Sequence, residues 1–126
     1  MDGKVSDEQY RKSQSISGGV RGMTKEPSAA QKLIGDFSPK LAELTDNVLF
    51  ADVWERPGLS KRDRSLITVA ALIALNRPEQ LRFHLRLAHE NGITKDEVAE
   101  VITHLAFYTG WPNAMNAVAI ARETFK

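Results

Sequence analysis

From Leu66 to Leu75 the chain reads Leu-Ile-Thr-Val-Ala-Ala-Leu-Ile-Ala-Leu, with one hydroxyl and no charge. Such a run is too short to span a bilayer. Ser60 with Asp63 three residues on resembles a capping box just ahead of it, so the run reads as a helix. A helix that is apolar all round is expected to be buried on all sides. The remaining elements must surround it, and a second subunit must cover what they leave open. Arg62 and Arg64 occupy its first turn, where the helix dipole disfavours cations. An anionic ligand, or a carboxylate from Asp52, Glu55 or Asp63, is expected to compensate.

The other elements are also helical. A short helix is expected over residues 27–34, ending near Gly35. Ser38-Pro39 supplies an N-cap with proline at the first helical position, and Leu41, Leu44, Val48 and Leu49 form an apolar stripe. Pro57-Gly58 punctuates. Asn76 and Pro78 open the helix after the apolar one. Leu81, His84, Leu85 and Ala88 share a stripe there until Gly92. Thr94 and Glu97 form a better capping box, followed by Val98, Val101, Ile102 and Leu105. Trp111 is expected to be extended. Pro112 then opens the last helix with Met115, Val118 and Ala119 inward. No period-2 pattern or internal repeat is present, so the class is all-α, with five to six helices. Residues 1–24 are polar and rich in Ser, Gly and Lys. They are expected to be an arm, flexible or packed on a neighbouring subunit, ahead of a helical domain over 25–126.

Charge excludes some partners. Seventeen basic against sixteen acidic residues leave a net +1, which gives no electrostatic footprint for nucleic acid or an anionic membrane. There is no cysteine, so thiol nucleophiles, disulfides and cysteine metal sites are excluded. The N-terminus lacks the apolar core of a secretory signal, and a cytoplasmic location is the default.

Ionisable groups on otherwise apolar helices are the candidates for chemistry. His84 lies on a buried stripe, where an imidazole can act as general acid or base. The bland alternative is a core histidine bonded to a carbonyl. Gln80 lies one turn before it on the same face. Arg64 can hold a carboxylate in bidentate fashion, and ion pairing is the simpler reading for Arg62. His104 and Tyr108 are one turn apart on the fifth helix, and can stack or line a core or subunit interface. His84 and His89 do not share a face, and no metal site is expected.

Taken in order, W-x-R-P-G-L, R-x-R-S-L, N-R-P-E, L-x-x-H, N-G-x-T-x-x-E and H-x-A-x-Y-x-G-x-P resemble the carboxymuconolactone decarboxylase family over residues 38–126. The resemblance implies a small orthogonal helical bundle of the alkylhydroperoxidase D-like type, in the branch without a C-x-x-C pair, assembled as a trimer or hexamer. It also implies cofactor-free decarboxylation of gamma-carboxymuconolactone, or a related small carboxylated lactone, in aromatic-compound breakdown. His84 and Gln80 are then the expected catalytic residues. Arg64, His104 and Tyr108 are expected to bind the anionic substrate. The second reading is a helical oligomer on the same scaffold that binds an acidic metabolite without this chemistry. Peroxidase activity is not expected without cysteine.

Overall fold

A computed structural model describes residues 26–126; the arm expected over residues 1–24 lies outside them. Among the described residues there is no strand, and six α-helices account for most of the chain. None of these helices is long and apolar enough to cross a membrane. The chain divides into two compact units, one ending at Gly58 and the other running from Leu59 to Lys126.

In the first unit, α1 (Ala29–Ile34) begins two residues later than expected, because Ser28 is its N-cap and accepts the Gln31 N–H at 3.0 Å. The next helix, α2 (Pro39–Leu44), does carry proline at its start, but Ser38 makes no side-chain capping bond. It continues as a π-helical turn over Thr45–Phe50, closed by the Ala51 N–H donating to Asp46 O at 3.1 Å. A 3₁₀ turn at Val53–Glu55 follows. The expected stripe is corrected here. Leu41, Leu44, Val48 and Leu49 are between 41% and 54% exposed, while Ala42, Asp46 and Phe50 are buried. Each π turn takes in an extra residue, so a stripe counted at the α-helical period drifts off the buried face. Asp46 tolerates burial because the Ser28 hydroxyl donates to its Oδ2 at 2.6 Å.

In the second unit, α3 (Lys61–Leu75) is the apolar helix, and α4 (Pro78–Glu90), α5 (Lys95–Thr109) and α6 (Trp111–Thr124) all pack against it. Within the chain α3 is buried on one face, through Ser65, Val69 and Ile73. Ile67 and Leu75 remain 56% and 58% exposed, so the expectation of burial on all sides does not hold for one chain. Three helices cannot enclose a fourth completely. The core joins Val69 and Ile73 to Leu81, Leu85 and Ala88 of α4, Val98 and Ile102 of α5, and Ala114, Ala117 and Ile120 of α6. Full burial of a side chain such as Ile73 or Leu85 contributes about 1.5–3 kcal/mol.

The turn between α3 and α4 is closed by a complete set of caps. Asn76 adopts the left-handed conformation (φ 56°), and its N–H reaches the carbonyls of Ile73 and Leu72. The Arg77 N–H also donates to Leu72 O. Asn113 Nδ2 donates to Ala74 O at 3.0 Å, and Arg77 Nη1 to Leu75 O at 2.8 Å. All four terminal carbonyls of α3 thus have donors. Asn116 Nδ2, bonded to Asn76 Oδ1 at 3.3 Å, braces the turn from α6.

The start of α6 departs from expectation. Trp111 is helical, entered through Gly110 at φ 100°. The inward residues are Ala114, Ala117 and Ile120, whereas Met115 and Val118 are 64% and 40% exposed; Ala119 is exposed as well. Close approach of α6 to its neighbours favours the small Ala114 and Ala117 on the inner face, while Ile120 fills it further along and Met115 and Val118 stay outside.

Candidate active site

His84 sits on α4 among the buried residues Leu81, Leu85 and Ala88, as the stripe requires. The residue as a whole is half-buried, but its Nδ1 is shielded from solvent. Burial pushes the imidazole down to about 4 from an ordinary value of 6.5, because the charged form loses hydration. At neutral pH the ring is therefore uncharged. The Phe83 ring meets it edge-on, with centroids 5.1 Å apart and planes at 86°. The Arg86 guanidinium lies 5.9 Å from the Phe83 centroid, a cation–π contact. Gln80, one turn earlier, is exposed.

The two arginines at the start of α3 divide their roles. Arg62 pairs with Glu97, which is also the N3 residue of the Thr94 capping box on α5. For Arg62 the partner is none of Asp52, Glu55 and Asp63, the carboxylates expected from nearby sequence. The Thr94 N–H and then the Arg62 side chain hold the Glu97 carboxyl below its usual range. Arg62 thus serves as a tie between the starts of α3 and α5. Arg64 is half-buried with its Nε shielded, and its carbonyl accepts the Thr68 hydroxyl at 2.7 Å.

Two further residues escaped sequence reasoning. Ser65 is fully buried, and its Oγ accepts from Asn91 Nδ2 at 2.9 Å, linking the second turn of α3 to the end of α4. Its signal was a hydroxyl at the start of a buried i, i+4, i+8 row with Val69 and Ile73.

His104 and Tyr108 on α5 are brought together, stacked at 5.0 Å and 30°. Both are exposed in the single chain, Tyr108 by 75%. Beside them Phe107 meets Trp111 edge-on at 5.3 Å. His89 is exposed, as expected, with Phe125 against its ring at 5.2 Å. A small cleft lies at the capped turn of α3, bordered by Asn76, Arg77, Leu81 and Asn113, with space of about 10 Å³. That holds about one water. None of the five candidate residues borders it, and its polar groups are already engaged as caps. Among the described residues no cluster of three metal-ligating side chains occurs.

His84 offers a neutral imidazole and Arg64 a guanidinium, both half-buried; such groups can transfer a proton and bind a carboxylate respectively. The model of the carboxymuconolactone decarboxylase family matches residues 39–123. The chain belongs to that family. It is 37% identical over 123 residues to a 4-carboxymuconolactone decarboxylase from Acinetobacter baylyi, covering 97% of this chain and 91% of the relative. It is also 35% identical over 82 residues to a nitrosuccinic acid decarboxylase from Metarhizium robertsii, covering 65% of this chain and 57% of that relative. Membership fits the all-helical fold, and both relatives are decarboxylases by name.

Proposed function

We propose that this family member is a cytoplasmic, cofactor-free carboxy-lyase acting on gamma-carboxymuconolactone, or a closely related carboxylated lactone, in aromatic-compound breakdown. The observation that carries this reading is the 37% identity to the Acinetobacter decarboxylase over 97% of this chain, combined with a shielded imidazole on the core stripe of α4.

The reaction breaks the bond between a ring carbon and its carboxylate. The electron pair left by CO2 moves through the conjugated ring into the lactone carbonyl, giving an enolate. A proton added at ring carbon re-forms the carbonyl as the enol-lactone. Arg64 holds a substrate carboxylate, Gln80 donates a hydrogen bond to the developing oxyanion, and His84 delivers the proton. The depressed basicity of His84 gives this step a condition. A neutral imidazole is a poor acid, so the protein must take up a proton as substrate binds. A carboxylate brought beside the ring favours the imidazolium and supplies the drive.

The exposed aromatic face of α5 and α6 supports assembly with further copies of the same chain into a trimer or hexamer. Phe107, Tyr108, Trp111 and Met115 are 57–75% exposed there, a patch of the kind that marks an interface. Covering it also takes the His104–Tyr108 pair out of bulk water, as a substrate-binding role requires. The test is an ultraviolet assay for loss of the conjugated lactone. His84→Ala is expected to lower turnover about 10²–10⁴-fold, with circular dichroism and oligomeric mass unchanged. A folded, assembled variant with near wild-type turnover would end the case for His84.

A further inference from the structure

Between α3 and α4 most buried contact is apolar, from Val69, Ile73, Leu81, Leu85 and Ala88. Apolar contact has no direction. Ser65 and Asn91 add a directional contact. We propose that the hydrogen bond between Ser65 and Asn91 is a positioning contact that sets α4, and with it the His84 imidazole, against α3.

Three observations support this. Ser65 is 0% exposed and lies on the same buried face of α3 as Val69 and Ile73. A buried hydroxyl costs free energy unless it is bonded, so alanine would serve the packing at least as well as serine there. Asn91, which caps α4, follows His84 by seven positions. Seven residues fall about 20° short of two full turns, so the two side chains share one face of α4. The other end of the hairpin is fixed by the capped turn at Asn76. His84 lies midway between these two points; Arg82 also ties α4 to α6 through Glu123, and the Ser65–Asn91 bond is a side-chain contact that ties the C-terminal end of α4 to α3.

The proposal rests on the reading that His84 serves the reaction, and the experiment separates the two. Ser65→Ala and Asn91→Leu are compared with wild type by lactone kinetics and by the ¹⁵N resonances of the His84 imidazole at fixed pH. Each variant is expected to lower kcat about ten- to a hundredfold with KM little changed, as for a small misplacement of a reacting group. The His84 nitrogen resonances should shift in both. Asn91→Asp can accept a bond from the Ser65 hydroxyl and should recover most of kcat and the wild-type resonances. Unchanged kcat and unchanged resonances in folded Ser65→Ala and Asn91→Leu would overturn the proposal. Full turnover in His84→Ala defeats the role assigned to His84 instead. The nitrogen shifts then still decide whether this bond positions the ring. Asn91 is only half-buried, so its variants keep the test available should Ser65→Ala fail to fold.

Discussion

The His104 imidazole stacks on the Tyr108 ring one turn along α5, centroids 5.0 Å apart and planes 30° from parallel, on a face open to solvent in the single chain. Phe107 and Trp111 extend that face with an edge contact at 5.3 Å and exposures of 74% and 57%. The wild-type chain is expected to run as a trimer or hexamer in light scattering. Phe107→Glu combined with Trp111→Glu should reduce it to smaller species with helix content preserved. A monomeric wild type at micromolar concentration would contradict the assignment.

Arg64→Ala should act chiefly on binding. A hydrogen bond to a charged group contributes about 1.5–3 kcal/mol, so KM is expected to rise about tenfold or more, with a smaller change in kcat. Arg64→Lys should restore only part of the loss, because an ammonium lacks the planar fork. Loss of the helical signal in Arg64→Ala would assign the residue to an ion pair that holds the fold.

Acid stability carries the signature of His84. Its pKa is 6.5 in the reference state and about 4 in the folded chain. Between those values the unfolded chain binds more protons than the native one, so stability rises with pH. The contribution is fully present above about pH 6.5 and is lost as pH falls toward 4, a difference on the order of 3 kcal/mol. Urea titrations at a series of pH values should show this slope in wild type and a slope smaller by up to one proton in His84→Gln. Equal slopes in the two proteins would mean that the imidazole is hydrated in solution.

Asn76 tests the capped turn. Alanine there must adopt the left-handed conformation (φ 56° in the native chain) and loses the brace from Asn116. Asn76→Ala is expected to cost about 1–2 kcal/mol, and Asn76→Gly less, since glycine adopts that conformation without strain. Denaturant midpoints measured on both variants decide it. An alanine variant as stable as the glycine one would remove the conformational argument.

The local devices of this fold were legible in the chain itself. Pro78 marks a helix start through its fixed φ, while Ser60 with Asp63, Thr94 with Glu97, and the stop near Gly92 mark helix ends through bonds that span three or four residues. Such bonds need nothing from the rest of the fold. The stripe Leu81, His84, Leu85, Ala88 likewise placed His84 inward, because all its members lie on one strongly amphipathic helix. The tertiary structure decided what depends on a distant partner. Arg62 found Glu97, Ser65 found Asn91 and Asn113 found the Ala74 carbonyl, each across more than twenty residues. In α6, apolar residues occur on every side, so periodicity cannot select the inner face. The approach of three neighbouring helices selected it, by admitting Ala114 and Ala117 and leaving Met115 and Val118 outside.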